Sequence, residues 1–258
     1  MKDVPIIQIK NLNKWYDSKQ VLKNINLEVY PGQVIGYIGP NGAGKSTTVK
    51  ILTGLIPDFK GDVQILQHSL KNEPLEIKKH IGYVPEAAEM YDVLTPMEFL
   101  DFIGKLYDMD EQKIRRRAER MLNFFGLQEN KDSRIDTFSK GMKQKVLLIS
   151  GFIHDPEIIF LDEPLAGLDA NAVIRVKEII ARLAEQGKTI FYCSHMMDVV
   201  EKVSNRILLI NNGKIVADGP IEELKQRDDE SLERIFANLT DHEDSGEISE
   251  EFLKTLEE

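Results

Sequence analysis

The hydrophobic and polar positions at the start of the chain predict a set of strands followed by a helix. Residues 6–9 and 25–29 are rich in β-branched side chains that partly alternate with polar ones, which is typical of half-buried strands. Residues 34–38 form a short apolar run that ends in a glycine-rich turn. From Lys45 the apolar positions recur at helical spacing, and this pattern predicts a helix that continues until Pro57.

The middle of the chain has helical spacing throughout. Residues 87–155 predict three helices, since Pro96 suits the first position of one, Gly126 the end of the second and Ser139 the N-cap of the third. After this stretch, apolar runs and helical spacing alternate. The predicted elements are strands at 158–161, 189–193, 206–210 and 214–217, the last two joined as a hairpin, and a helix at 170–185.

The order of these elements predicts the fold class. Strands separated by helical crossovers imply an α/β fold with a mostly parallel sheet. The predicted fold also contains an antiparallel β subdomain and an α-helical lobe, over about residues 87–155, that is inserted in the core. We expect one domain over residues 1–225. Residues 226–258 are expected to form an acidic tail of two short amphipathic helices around residues 241–244.

Charge and composition narrow the class of function. The formal net charge of -10 argues against a protein that wraps nucleic acid, because such binding depends on Lys and Arg neutralising phosphates. Cys193 is the only cysteine, so no disulfide can form within the chain, as suits a reducing compartment. Apolar runs are far shorter than the roughly 20 residues that cross a bilayer. We expect a cytoplasmic protein that reaches any membrane process through a partner.

The glycine-rich turn before Lys45 has the spacing G-x-x-x-x-G-K-S between a strand and a helix. Its glycines let backbone N–H groups converge on a phosphate, Lys45 would reach the β- and γ-phosphates, and the Ser46 hydroxyl would ligate Mg²⁺. The pattern predicts a P-loop NTPase core that binds ATP. The phosphate-binding set is Gly39, Pro40, Asn41, Gly42, Ala43, Gly44, Lys45, Ser46 and Thr47.

A second candidate site follows the apolar strand predicted at 158–161, which ends in Asp162 and Glu163. Parallel strands place ligand chemistry at their carboxyl ends. Asp162 would hold Mg²⁺, and Glu163 would polarise the attacking water. Glu163 and Lys45 are therefore the first candidates for catalytic residues.

Four further segments resemble one known family. Residues 138–144, with the sequence FSKGMKQ, resemble the signature motif of ATP-binding cassette (ABC) ATPases. Residues 164–169 look like the loop that follows the catalytic glutamate of that family, and His195 looks like its switch histidine. Tyr16 looks like the aromatic residue that stacks on adenine. Six motifs in the family's order make the resemblance specific.

The resemblance implies partners as well as roles. His195 would contact the γ-phosphate as a third catalytic residue. The helix after Ser139 would point at an ATP held by another protomer, so two ATP would be sandwiched in a head-to-tail dimer with a copy or close paralogue of this chain. A separate transmembrane permease would receive the motion, with this chain on the cytoplasmic face of the membrane. The other implied nucleotide contacts are Gly141, Asp169 and Glu86.

The chain departs from the family's usual motifs at three positions. Lys140 and Met142 replace the second glycine and the glutamine of the signature, although Gly141 keeps a close backbone approach possible. Glu86 stands where the family usually has glutamine, which places a carboxylate near Mg²⁺. These departures resemble the single-cassette subunits of type-2 exporters, and we expect export rather than import.

Two other functions fit parts of the pattern. One is a soluble ABC ATPase that acts on nucleic acid or the ribosome, and the other is an ATP-dependent clamp that regulates a partner without turnover. The presence of both Glu163 and His195 argues against the clamp, and the net charge argues against binding of nucleic acid. Tyr16 and His195 could also be ordinary core side chains. The transported substrate and the identity of the second cassette are not encoded in these motifs.

Overall fold

The computed structural model describes residues 4–87, 90–225 and 231–239. Two sheets and the helices around them make up this part of the chain. The strands are β1 (Ile7–Tyr16), β2 (Lys19–Val29), β3 (Val34–Ile38), β4 (Lys60–Ile65), β5 (His68–Ser69), β6 (Ile81–Val84), β7 (Ile158–Asp162), β8 (Thr189–Cys193), β9 (Arg206–Asn211) and β10 (Lys214–Gly219). The helices are α1 (Lys45–Leu52), α2 (Pro74–Lys79), α3 (Pro96–Leu106), α4 (Glu111–Phe124), α5 (Lys140–Phe152), α6 (Ala170–Glu185), α7 (Met197–Val203), α8 (Ile221–Leu224) and α9 (Leu232–Leu239).

The larger sheet has the strand order β10-β9-β3-β8-β7-β6. Only β10 runs antiparallel to its neighbour in this sheet, so the prediction of a mostly parallel sheet is confirmed. The smaller sheet, of order β2-β1-β4-β5, is antiparallel and confirms the predicted β subdomain. Its first two strands are longer than predicted because they form a hairpin across a turn at Asp17.

The apolar core lies on both faces of the larger sheet. Val34 and Ile38 of β3 belong to the cluster packed on the helical side, whereas Ile35 and Tyr37 belong to the cluster shared with α1 and the β subdomain. All five residues of β7 are buried as well. Burial of both faces explains why these strands appear in the sequence as continuous apolar runs.

One predicted helix end is wrong, whereas the predicted start of a helix at Pro96 is confirmed. The helix after the glycine-rich turn ends at Leu52 rather than at Pro57, because Gly54 adopts a left-handed φ of 69° and the amides of Leu55 and Ile56 both turn back to the carbonyl of Lys50. The lobe does not begin as helix at residue 87. Its first helix begins at Pro96, where Thr95 and Glu98 form a capping box with bonds of 3.2 and 2.8 Å.

The tail prediction is tested only in part. The helix α9 is present, and Leu232 and Ile235 are buried against the core. The acidic stretch at 241–244 and the second helix expected after it lie outside the described residues. In the described part of the chain, no helix has the length and apolarity needed to cross a membrane.

Candidate functional site

The carboxyl ends of β3, β7 and β8 open into one cleft of about 610 Å³. This volume is within the range of about 300–1,000 Å³ that ligand sites usually occupy. The cleft brings together residues from the glycine-rich turn, the strand ends and the edge of the β subdomain. Its lining residues are Tyr16, Lys19, Val21, Asn41, Gly42, Gly44, Lys45, Ser46, Thr47, Glu86, Asp162, Glu163 and His195.

The turn between β3 and α1 is built on glycines that no other residue could replace without disturbance. Gly44 is the N-cap of α1 with a φ of 116°, and a Cβ there would meet the Leu22 side chain. A Cβ on Gly39 would meet the carbonyl oxygen of Ile210. The Lys45 ammonium donates to the carbonyl oxygens of Gly39 at 2.6 Å and Pro40 at 3.2 Å, so it lies over the turn.

The turn presents unpaired backbone donors. The helical ladder of α1 begins with the bond from the Thr48 amide to the Gly44 carbonyl at 2.9 Å. The amides of Lys45, Ser46 and Thr47 therefore have no acceptor among the described residues, and no side chain caps this end of the helix. Free amides at a positive helix end, next to an ammonium group, fit a bound phosphate chain.

Asp162 is positioned to help hold a cation. Its side chain is only 5% exposed at the end of β7, and burial raises the pKa of its carboxyl, an effect opposed by a hydrogen bond with Ser46. The carboxylates of Glu86 and Glu163 raise this pKa further, whereas Lys45 lowers it. One carboxylate and one hydroxyl fit Mg²⁺, which takes its remaining ligands from phosphates and water. Glu86, also at the cleft, was predicted as a further ligand.

Glu163 occupies an unusual backbone position, with a φ of 49°. Its carboxylate lies against the residues that follow β8. Oε2 accepts from the Ser194 hydroxyl at 2.9 Å, and Oε1 accepts from the His195 amide at 2.9 Å and lies 2.9 Å from His195 Nδ1. The sequence analysis assigned no role to Ser194. The sequence feature that could have identified Ser194 as a site residue is its position directly before His195. Its contact with Glu163, however, depends on the pairing of β7 with β8.

Tyr16 and His195 are not core side chains. Tyr16 is 45% exposed at the end of β1, where the Lys14 ammonium lies 5.2 Å from the centre of its ring. The His195 side chain is 78% exposed and lines the cleft. Both therefore lie where the resemblance would require them, one at the rim and the other at the strand ends.

Ser139, Gly141 and Asp169 lie outside the cleft lining. Ser139 caps α5 by accepting from the Met142 amide at 3.3 Å. A Cβ on Gly141 would lie 2.6 Å from the carbonyl oxygen of Gly167, so α5 packs directly on the loop before α6. Within the chain, these residues do not join the phosphate-binding turn.

Asp169 has structural contacts of its own. It caps α6 by accepting from the Ala172 amide at 2.9 Å, and its second oxygen lies 2.9 Å from the Lys145 ammonium. The bond with Lys145, followed by the bond with the amide, lowers the pKa of Asp169 to about 2. Asp169 therefore ties the loop before α6 to α5.

Residues 22–166 match the family model described as ABC transporter. This match covers more than half of the chain. The chain belongs to the ABC transporter family. The predicted family and the P-loop fold class are thus confirmed, and the chain is an ATP-binding subunit of that family.

Relatives of this ABC subunit extend over most of its length. It is 35% identical over 86% of its residues to the linearmycin resistance ATP-binding protein LnrL of Bacillus subtilis, of which it covers 71%. It is 31% identical over 85% of its residues to the Nod factor export ATP-binding protein I of Cupriavidus metallidurans, of which it covers 72%.

A solved structure extends the comparison to three dimensions. The dimeric ATP-binding cassette MJ0796, in a post-hydrolysis state bound to ADP and Pi, superposes with a TM-score of 0.76 at 25% identity. The superposition covers 83% of this chain and 98% of that one. It relates the present fold to a cassette that holds hydrolysis products.

Proposed function

We propose that this ABC subunit hydrolyses ATP, dimerises around two ATP and drives export through a separate permease at the cytoplasmic face of the membrane. The observation that carries the proposal is the cleft itself, in which Lys45, Asp162 and Glu163 lie together. These are the groups that hold phosphates, hold Mg²⁺ and orient water in P-loop enzymes.

Each group has a task in the reaction. The amides at the start of α1 and the Lys45 ammonium would hold the phosphate chain, while Ser46 and Asp162 would hold Mg²⁺. Bound Mg²⁺ would neutralise charge on the phosphates. Glu163 orients the attacking water and accepts its proton, and the exposed ring of His195 contacts the γ-phosphate. Tyr16 stacks on adenine at the rim.

The position of Ser139 supports the dimer. It is exposed at the start of α5 and does not line the cleft of its own chain, so its natural ligand is a phosphate held by a second cassette. The relative MJ0796 is described as dimeric with ADP and Pi bound. A head-to-tail pair of this chain, or of this chain and a paralogue, would complete two sites.

An exposed apolar surface on the helical lobe supports docking of a permease. Tyr91 and Phe102 pack edge to face at 5.5 Å while remaining 61% and 39% exposed. Leu106, one turn after Phe102 on α3, is 64% exposed. This surface follows the segment of Glu86, which lines the cleft, so a permease docked here would be connected to the nucleotide. The name of the Cupriavidus relative supports the outward direction.

The two rival functions have weaker support. A regulatory clamp needs no water-activating carboxylate, whereas Glu163 lies in the cleft with His195. A nucleic-acid ATPase would gain from a basic surface, whereas the chain has a net charge of -10.

Glu163→Gln tests hydrolysis. The amide keeps the size of the side chain but cannot accept the proton of the water, so turnover should fall by about 10²–10⁴-fold while ATP affinity stays within about threefold. Turnover is measured by phosphate release and affinity by calorimetry. Glu178→Gln, the same change at an exposed position of α6, is the matched control and should be neutral. Turnover of Glu163→Gln within a few-fold of the parent would contradict the proposal.

Phe102→Asp tests the docking surface. A buried unpaired charge opposes association, so the variant should lose about tenfold or more of its binding to membranes that contain the permease. ATP affinity should not change, because Phe102 is not in the cleft. Binding is measured by sedimentation with membrane vesicles from the native host, before and after deletion of the gene for a candidate permease. Phe124→Asp places the same charge at another exposed phenylalanine, and equal losses in both variants would reject this surface.

A further inference from the structure

The hydroxyl of Ser194 is buried between a carboxylate and a backbone amide. Ser194 is 2% exposed directly after β8. Its Oγ lies 3.1 Å from the Met196 amide and 2.9 Å from Glu163 Oε2. An amide can only donate, so Oγ accepts from Met196. The neighbouring Tyr192 hydroxyl also interacts with Ser194 and can donate to the second lone pair of Oγ, so the single Ser194 hydroxyl proton is available for the carboxylate. Ser194 therefore donates to Glu163.

Two further contacts of Glu163 come from the neighbours of Ser194, and the Glu163 carbonyl also accepts from the Ala166 amide at 3.1 Å. The Glu163 amide donates to the carbonyl of Cys193 at 2.9 Å, and Oε1 accepts from the His195 amide at 2.9 Å. Three consecutive residues thus hold the main chain and both carboxylate oxygens of Glu163. The left-handed φ of 49° at Glu163 is uncommon for a residue with a side chain and is typical of functional positions.

The two side chains that hold Glu163 differ in exposure. His195 is 78% exposed and faces the cleft, where a bound phosphate would compete for its ring. Ser194 is sealed from solvent, and its bond with Met196 holds its Oγ in place when the cleft fills. A phosphate in the cleft would therefore compete for the ring of His195 but would not reach the hydroxyl of Ser194.

We propose that Ser194 is the positioning residue that orients the Glu163 carboxylate toward the attacking water. The inference rests on the proposed function, in which Glu163 is the general base. A glutamate has three rotatable side-chain bonds, and a displacement of about 1 Å in a reacting group can lower a rate about 10²-fold. The hydroxyl restricts this freedom by fixing Oε2. Oε1 keeps its bond from the His195 amide and can accept from the water when the His195 ring turns to the phosphate.

A serine that only shapes the turn before α7 is the competing explanation. Hydrogen bonds from a backbone amide to the oxygen of a serine two residues earlier are common in turns, and they require the serine only as an acceptor. This role would affect folding, and it would not depend on a hydrogen bond that Ser194 donates to Glu163. The two roles therefore predict different kinetics.

Steady-state kinetics separate them. Ser194→Ala should lower kcat by about 10- to 100-fold and leave KM and the ATP dissociation constant within about threefold. Ser194→Thr keeps the hydroxyl and should restore kcat to within about threefold of the parent. Ser150→Ala is the matched control, because Ser150 is also a buried serine but bonds only the Leu147 carbonyl of its own helix. In the Glu163→Gln background, Ser194→Ala should lower kcat by less than about a further threefold, because both substitutions disable the same pair of side chains.

A second measurement does not need turnover. Crystal structures of the nucleotide-free parent and Ser194→Ala should show the Glu163 carboxylate displaced in the variant, with the main chain at 193–196 unchanged. A carboxylate that stays in place would overturn the inference, as would equal kcat in parent and variant. A loss of kcat that accompanies a lower melting temperature and is not restored by Ser194→Thr would assign Ser194 to folding alone. If the parent itself fails to hydrolyse ATP, the proposed function falls, and the displacement alone decides whether Ser194 holds Glu163.

Discussion

The starts of α1 and α5 are alike in sequence and opposite in surroundings. Each helix begins with a lysine, Lys45 or Lys140, and neither has an acidic residue in its first turn. A helix dipole favours acids at this end and disfavours lysines, so both starts suit a bound anion. At α1 no side chain caps the free amides, which open into the cleft. At α5 Ser139 caps its own helix and is exposed away from that cleft.

This difference indicates which chain would supply the phosphate at each helix start. The start of α1 has its amides and its ammonium group in one chain, so these donors can bind a phosphate without a second chain. Among the described residues, the start of α5 adjoins no comparable cleft, so in the proposed dimer its anion would arrive with another molecule. The following substitutions test whether the start of α1 binds phosphate within its own chain and the start of α5 a phosphate held by a second chain.

Ser139→Arg should have the largest effect. A bulky side chain at this N-cap would separate the start of α5 from the phosphate of a second cassette, so turnover should fall by about 10²-fold or more, the scale of losing a group that stabilises the transition state. ATP affinity of the single chain should stay within about threefold, because Ser139 lies outside the cleft. Phosphate release and calorimetry measure the two quantities. Ser133→Arg, the same change at an exposed serine of the lobe, should be neutral.

Mixing variants sharpens this test. A dimer of one Ser139→Arg chain and one Lys45→Ala chain would carry both lesions in one composite site and none in the other. If the α5 start serves the partner's phosphate, the mixture should regain activity. If both proteins stay inactive while hybrids are shown to form, either Ser139 serves its own chain or both sites must be intact together. Cross-linking of a cysteine introduced at Gly42 of one chain to a cysteine introduced at Ser139 of the other then distinguishes these cases.

Gly141→Ala should have an intermediate effect. The added methyl group would lie 2.6 Å from the Gly167 carbonyl oxygen, so α5 has to shift relative to the loop before α6. We expect turnover to fall about tenfold and stability to fall by about 1–3 kcal/mol, the usual range for overpacking. Gly219→Ala is the control, since its nearest neighbour would be 3.8 Å away. Unchanged turnover with lowered stability would show that the placement of α5 does not limit hydrolysis.

Asp169→Asn should have the smallest effect. Asparagine keeps the cap of α6 but loses the pair with Lys145, and an exposed pair contributes little, so the melting temperature should fall by no more than about 4 °C. The pair stabilises the fold above the ordinary pKa of 3.8 and is lost as pH falls toward about 2. The difference between parent and variant should therefore be constant from pH 5 to 8 in thermal unfolding. A difference that changes in this range would mean that another group titrates with the pair.

Local patterns predicted the parts of the molecule that depend on neighbours in sequence. The run before Gly39 became a strand, the turn after it kept the phosphate-loop spacing, and Asp162 became the last residue of β7 with Glu163 directly after it. Helix ends were less certain, as the early stop of α1 at Gly54 shows, because spacing of apolar residues does not reveal where the backbone turns back.

Contacts between distant segments were decided by the packing of the sheets. Pairing of β7 with β8 sets Asp162 beside Cys193, and only this register brings Glu163 to Ser194, 31 residues away. The approach of Gly141 to Gly167 likewise depends on how α5 lies on the sheet. A motif records which chemical groups are available at a short stretch of chain. Where those groups meet depends on strand order and buried contacts, which are summed over the whole core and have no local signature.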